Sequence, residues 1–285
     1  MMNNQDFTVF ILTHGRPDRQ DTYESLNECG YTGRIIFVVD DEDKTVEQYK
    51  KRFKEQVYVF NKKEKAKTFD TGDNFDDRRV IIFARNVCFD IAKELGIKYF
   101  IELDDDYTIF RYTLNEKRQH EHRSVTDLDG VFDAMLDFYK SIPAHSIAMA
   151  QGGDLMGGSN SPLFKKIKRK AMNTFICSTD RQFDFVGRIN EDVNVYTNLG
   201  SRGAIFLTIP DVVINQRSTQ SNTGGMTDAY LDSGTYVKSF YSVMYQPSSV
   251  KISTLGRTNH RIHHAVSWKY TLPQILSPKY KKGEK

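Results

Sequence analysis

Three consecutive aspartates, Asp104, Asp105 and Asp106, close an apolar run that begins at Tyr99 (Tyr99-Phe100-Ile101-Glu102-Leu103). The run is short, aromatic and branched, so it reads as a buried strand. The acids then sit just past its carboxyl end, the edge at which open α/β sheets bind ligands. Alternation along an extended chain sends Asp104 and Asp106 one way and Asp105 the other. Two carboxylates that converge repel each other unless a proton or a cation joins them. Hard oxygen ligands of this kind suit Mg²⁺ or Mn²⁺, ions that also bind substrate phosphates. An acidic turn that only caps the next element is the plainer reading, and the surrounding elements decide between the two.

Two earlier strand ends carry similar clusters. Phe7–Leu12 runs straight into Thr13-His14-Gly15-Arg16-Pro17, and Arg34–Val39 ends in Asp40-Asp41-Glu42-Asp43. Helix signals run from Asp18 to about Cys29, with Gly30 as the stop, and again over Lys44–Lys54. Val57–Phe60 adds a third strand. Fully apolar strands alternating with helices imply a parallel sheet covered on both faces. Such a sheet gathers its strand ends on one edge. His14, Arg16, Asp40, Asp41, Asp104 and Asp106 are therefore expected around one cleft. Together they offer polar acceptors, cations and a metal site, which is what a nucleoside diphosphate requires.

The rest of the chain is read more coarsely. Asn61–Asp77 is polar and reads as a long surface loop. Arg79–Leu95 reads as a helix with an apolar stripe at Val80, Ala84, Val87, Ile91 and Leu95, closed by Gly96. Ile109–Leu114, Ser146–Ala150, Ala171–Ser178 and Ala204–Ile209 read as strands, the last being the final clear one. Asp127–Tyr139 and Asn190–Leu199 read as helices, the second opened by Glu191-Asp192. A Gly-rich stretch around Gly152-Gly153 and Gly157-Gly158 lacks the lysine and spacing of a phosphate-binding P-loop. Gln216–Asp228 is polar and Gly-rich. No sharp boundary divides the 285 residues, so one domain is expected, α/β over 1–110 and mixed α+β over 111–285.

Composition excludes several classes. The net charge is only +3, so no global field points to nucleic acid. Locally, Lys165, Lys166, Lys168, Arg169 and Lys170 form a basic run without an acid, and Arg257 and Arg261 flank a second basic stretch. Each reads as a phosphate-contacting patch or as a solvated face. Cys29, Cys88 and Cys177 are far apart and unpaired in pattern, as expected of reduced thiols in the cytoplasm. No apolar run approaches membrane-spanning length. His260, His263 and His264 cluster late in the chain. On a helix His260 and His264 would share a face.

Taken in order, these motifs resemble the GT-A nucleotide-sugar glycosyltransferases over roughly residues 7–210. The resemblance rests on Thr13-His14-Gly15-Arg16, Asp40-Asp41, Ala84-Arg85-Asn86, Asp104-Asp105-Asp106 and Glu191-Asp192. More narrowly, Thr13–Pro17, Val39–Glu42, Asp73-Asn74-Phe75 and Glu102–Tyr107 are similar to the TET/JBP-associated glycosyltransferases of bacteriophages and the base J glucosyltransferase. The resemblance implies a GT-A (Rossmann-like) mixed, mainly parallel sheet flanked by helices, with a nucleotide-sugar half and an acceptor half. It implies that Thr13, His14, Arg16, Asp40, Asp41, Arg85, Asp104 and Asp105 bind the donor, a UDP-sugar. It implies Mn²⁺ or Mg²⁺ on Asp104 and Asp106 with a late histidine, His264. Asp192 would be the general base, with Glu191 as the second candidate.

The acceptor implied by the narrower resemblance is the hydroxymethyl group of a modified pyrimidine, 5-hydroxymethylcytosine, in phage DNA within an infected bacterial cytoplasm. Lys165–Lys170, Arg257 and Arg261 would then follow the DNA backbone. A polysaccharide or protein acceptor stays open. So do two other classes, a metal-dependent nuclease or phosphotransferase and a catalytically silent nucleotide-binding module. The sequence leaves the sugar, the stereochemistry and the oligomeric state undetermined.

Overall fold

In the computed structural model, residues 6–73, 76–115, 117, 119–155, 169–217, 237–255 and 261–273 are described. The amino-terminal part follows the apolar runs. β1 (Phe7–Leu12), β2 (Arg34–Asp40), β3 (Val57–Phe60) and β4 (Tyr99–Asp104) alternate with α1 (Asp21–Glu28), α2 (Val46–Phe53), the one-turn α3 (Lys62–Lys65) and α4 (Ile82–Glu94). There follow β5 (Tyr107–Leu114), β6 (His120–Ser124), α5 (Leu128–Ser141), β7 (Ser146–Gln151), β8 (Phe175–Ser178), α6 (Glu191–Ser201) and β9 (Phe206–Gln216). A helix over the described residues 237–245, here α7, precedes a separate hairpin of β10 (Val250–Leu255) and β11 (Arg261–Val266).

Nine strands form one sheet in the order β3-β2-β1-β4-β8-β7-β9-β5-β6. The first four are mutually parallel. β8 is antiparallel to both neighbours, β7 and β9 are parallel, and β5 and β6 close the edge in antiparallel fashion. Strand alternation assigns the two cores. Phe7, Val9, Ile11, Ile101 and Leu103 pack with Leu26 of α1, Phe53 of α2 and Phe132 of α5. Phe10, Leu12 and Phe100 pack with Phe83 and Phe89 of α4 and Val193 of α6. The α4 side of β4 therefore receives Phe100, then Glu102, then Asp104.

Several elements differ from the sequence reading, each for a physical reason. α1 begins at Asp21 rather than Asp18, because the Gln20 side chain turns back to donate to Thr13 Oγ1 and the Arg16 carbonyl. The expected 61–77 loop contains α3, whose first turn is capped by the Asn61 side chain. β9 continues past Ile209 because the sheet absorbs Pro210. The ladder passes from Met149↔Ile209 to Ala150↔Val213, a bulge that gives the residue without an N–H a place outside the ladder. β6 and the β10–β11 hairpin were not expected. His263 and His264 lie on β11, paired with Ser253 and Ile252, and not on a helix. His260, Lys165, Lys166, Lys168, Arg257, the 157–160 glycine stretch and 218–228 lie outside the described residues, as do Asn74 and Phe75. Arg261 opens β11. No helix among the described residues is long and apolar enough to cross a membrane. The three cysteines are buried and unbonded.

Candidate active site

The register of the parallel strands sets Leu12 beside Val38 and Asp104, so the segments after β1, β2 and β4 emerge side by side. Their polar residues interlock. Thr13 Oγ1 donates to Asp105 Oδ2 at 2.7 Å and accepts from Gln20 Nε2 at 2.9 Å. The Tyr49 hydroxyl lies 2.8 Å from Thr13 Oγ1 and accepts from the Arg16 amide at 2.8 Å. Arg16 Nη1 donates to Asp105 Oδ1 at 2.8 Å. Asp105 is thus the anchor of the β1 turn. Alternation does not carry past the strand end: β4 stops at Asp104, and Asp105-Asp106 form a turn into β5.

The β2 end is built the same way. His14 Nδ1 lies 2.7 Å from Asp40 Oδ2, and Lys62 Nζ lies 3.3 Å from the same oxygen. The hydrogen bond that His14 donates to Asp40 raises the His14 pKa. Burial pushes Asp40 upward, but His14 and Lys62 together hold it below the usual carboxylate range. Gly15, with φ of +70°, turns its amide onto Asp43 Oδ2 at 2.6 Å. Asp41 is exposed and accepts the Lys62 amide at 2.9 Å, which ties it to the start of α3. Asp43, buried and bonded to the β1 turn, takes the inward position expected of Asp41.

On the α4 side, one guanidinium gathers three acids. Arg85 Nη2 donates to Asp104 Oδ1 at 2.9 Å, and Nε donates to Glu191 Oε1 at 2.9 Å. Nη1 lies 3.6 Å from Glu102 Oε2, an ion-pair distance beyond hydrogen-bond range. Glu102 is fully buried and neither of its oxygens accepts a hydrogen bond, so burial pushes its carboxyl up to about 8. Burial works against the charge of Arg85 too, yet Asp104, Glu191 and Glu102 hold its pKa well above normal. Burial likewise raises Asp104, Asp105, Glu191 and Asp192.

Asp106 differs from its neighbours. No hydrogen bond or ion pair engages its carboxylate among the described residues, and burial with Asp104 and Asp105 nearby pushes it up to about 7. Six carboxyl groups (Glu102, Asp104, Asp105, Asp106, Glu191, Asp192) thus face two directly bonded guanidinium groups, Arg16 and Arg85. That excess of carboxyl groups over cations, each held partly toward its protonated form, fits a site that takes up protons or a cation. Among the described residues no three His, Cys, Asp or Glu side chains are arranged to hold a metal. The expected set of Asp104, Asp106 and His264 is therefore not assembled as a cage. Magnesium-type sites often use one or two carboxylates and leave the remaining positions to water and substrate phosphates. Asp104 and Asp106 fit that pattern.

Glu191 and Asp192 open α6. Asn190 before them takes the left-handed conformation, with φ of +57°. Its Nδ2 reaches the Lys238 carbonyl at 2.9 Å, Ser242 Oγ at 3.2 Å and His264 Nδ1 at 3.3 Å. His264 is thus held against Asn190, the residue before the acidic pair, and burial, with His263 and Lys238, lowers its pKa to about 4. Arg188 forms a two-pronged pair with Asp73 at 2.8 and 2.6 Å, and the Tyr241 hydroxyl donates to the same carboxylate. Asp192 Oδ1 accepts the Val193 amide at 2.7 Å.

The basic run is used internally where it is described. Arg169 donates to the Trp268 carbonyl and Thr271 Oγ1, both at 3.1 Å, and Lys170 is buried against Asp154. These two are therefore removed from the expected DNA-contacting set. Sequence reasoning missed Tyr49, Gln20, Lys62, Asp43, Glu102 and Asn190. Glu102 carried a signal, a charge inside an apolar strand. The others carried none, because each acts on a partner distant in sequence.

Residues 7–225 match the family described as TET-Associated Glycosyltransferase. No curated protein matches in sequence. Similar solved structures include Staphylococcus aureus TarS in complex with UDP-GlcNAc, at 14% identity and a TM-score of 0.42, covering 74% of this chain and 59% of that one. The chain thus spans 59% of the TarS chain it matches. A mycobacterial protein aligns at 10% identity and a TM-score of 0.46, over 91% of this chain and 83% of its own. Glucosyl-3-phosphoglycerate synthase from Mycobacterium tuberculosis, in complex with Mn²⁺, UDP and glucosyl-3-phosphoglycerate, aligns at 8% identity and a TM-score of 0.45, over 91% and 87%.

Proposed function

Since this chain belongs to the TET-associated glycosyltransferase family, we propose that it transfers a sugar from a UDP-sugar to a hydroxyl group on DNA. The acceptor is the hydroxymethyl group of a modified pyrimidine, 5-hydroxymethylcytosine. The observation that carries this reading is the convergence of the β1, β2 and β4 ends on one sheet edge, with Asp106 half-buried among acids and without a hydrogen-bond or ion-pair partner among the described residues.

The donor lies along the β1, β2 and β4 ends, its phosphates toward Arg16, Asp104 and Asp106. Asp104 and Asp106 would hold Mn²⁺ or Mg²⁺, which would supply positive charge for the leaving diphosphate. The protein's own residues do the rest. Asp105 holds Arg16 and Thr13 in place. Asp192 takes the proton from the acceptor hydroxyl as its oxygen bonds to the anomeric carbon. The bond from that carbon to the phosphate oxygen breaks, and its electron pair leaves on UDP. Burial raises the Asp192 pKa, which makes its carboxylate a better proton acceptor. A single displacement of this kind inverts the anomeric centre. A base paired within a duplex offers little access, so the pyrimidine is extruded toward the site. Lys165, Lys166, Lys168, Arg257 and Arg261 contribute phosphate contacts.

Calorimetry with UDP tests the donor half: affinity is expected with Mn²⁺ and lost in EDTA. Metal-independent binding, or none, ends the transferase reading. Labelled UDP-sugars supplied with hydroxymethylated and unmodified DNA test the acceptor. Incorporation only into the hydroxymethylated strand is expected, and transfer to a glycan or protein instead would sink the DNA assignment.

A further inference from the structure

Arg85 was expected to touch the donor. It is 2% exposed. Phe175 lies across its guanidinium at 4.9 Å and Phe185 at 5.8 Å. Its edges are occupied by Asp104, Glu191 and Glu102. The two rings lie together on one side, 4.9 Å apart, with the acids around the rim, and at 2% exposure the group has no open side for a phosphate.

Its partners come from different parts of the fold. Asp104 ends β4 and belongs to the donor wall. Glu191 opens α6 on the acceptor side. A guanidinium is the group suited to join them, because its planar fork holds several acceptors in fixed directions at once. Remove it and two buried carboxyls, Glu102 and Glu191, and the half-buried Asp104 face one another without compensation. The neighbouring acid is held differently. Asp192 Oδ1 accepts an amide of its own helix, and no hydrogen bond engages Oδ2 among the described residues.

We propose that Arg85 is a positioning residue, a buried bracket that fixes the donor wall to the first turn of α6. By engaging Glu191 it leaves Asp192 as the carboxylate able to take a proton. This rests on the transferase reading above, and it corrects the sequence-based expectation that Arg85 binds the donor.

Kinetics of Arg85→Met and Arg85→Lys with the full chain and a UDP-sugar donor test it. A bracket predicts a kcat loss of about 10²-fold or more in Arg85→Met, with the donor KM moving less than about threefold. Arg85→Lys keeps the charge without the fork and is expected to recover about tenfold of that loss. A raised donor KM with kcat retained would mean direct donor contact and overturn the proposal. So would wild-type kinetics.

Glu191→Gln covers the case in which the arginine variants do not fold, since an amide oxygen still accepts from Arg85 Nε. It is expected to lose about tenfold in kcat, against about 10²-fold or more for Asp192→Asn. Equal losses at the two positions overturn the assignment. Thermal melts separate a failed bracket from a failed transferase reading. If wild type shows no Mn²⁺-dependent UDP binding, the bracket is still read from Arg85→Met, Glu191→Gln and the double variant. Tm losses smaller in the double variant than the sum of the singles support it, and additive losses refute it.

Discussion

The parallel strands β3-β2-β1-β4 and the region from β5 onward build the same site by opposite means. In the first, each strand is an unbroken apolar run and its polar residues follow at once. Sheet register brings Thr13, His14, Asp40 and Asp104 to one edge, and contacts such as Arg16–Asp105 and His14–Asp40 fix them there. In the second, position is set by pairs remote in sequence: Arg85 with Glu191, Arg188 with Asp73, Asn190 with His264. One region aims its chemistry by topology, the other by buried charge. The first should tolerate loss of a site residue without loss of fold, and the second should not.

The largest effect expected falls on the topological side. Asp106→Asn should lower turnover by about 10³-fold or more, as loss of a key electrostatic group does. Its Tm should hold or rise, because a carboxyl crowded by Asp104 and Asp105 is relieved. A matching fall in Tm would erase the contrast. Asp192→Asn comes next, at about 10² to 10⁴-fold in kcat. UDP affinity, measured by calorimetry, should stay within about threefold of wild type.

Asp73→Ala tests the other side. It removes the two-pronged carboxylate from Arg188, 5% exposed, and should cost about 3 kcal/mol in urea unfolding. A cost near zero would mean that the second region does not depend on its ion pairs. The smallest effect is in pH. His264 sits near 4 when folded and near 6.5 when unfolded, so below about 6.5 the unfolded chain takes a proton that the native chain refuses. Stability on this account is full above 6.5 and declines toward pH 4. Glu102, raised when folded, acts in the opposite sense: its contribution is full below about 4.5 and is lost as pH rises toward 8. The difference between wild-type and His264→Gln unfolding curves at pH 7.5 and 5.5 isolates the histidine. It should amount to about 1 kcal/mol, one pH unit below its unfolded midpoint.

The same contrast explains what could be read in advance. Phe7–Leu12, Arg34–Val39 and Tyr99–Leu103 announce strands by composition, and their order fixes the sheet edge. Asp105 could not be ranked, because its partners Thr13 and Arg16 are joined to it only by folding. Asp41 and Asp43 were not separable, since the turn after β2 decides which one points inward. β11 was hidden because its Arg-Ile-His-His-Ala-Val sequence carries little apolar alternation. Its place is set by pairing with β10. Pro210 argued for a strand end, and only the neighbouring β7 shows how the ladder steps around it.

The outermost strand of the sheet has a consequence for the molecule in a crowded solution. Among the described residues β6 pairs only with β5, and its sequence is His-Glu-His-Arg-Ser, half-exposed to exposed throughout. An open strand edge is a template on which another chain can extend the sheet. Glu121 and Arg123 on this edge would have to be buried or matched by any added strand. The strand that contributes nothing to the site thereby guards a nine-stranded sheet against growing a tenth from its neighbour.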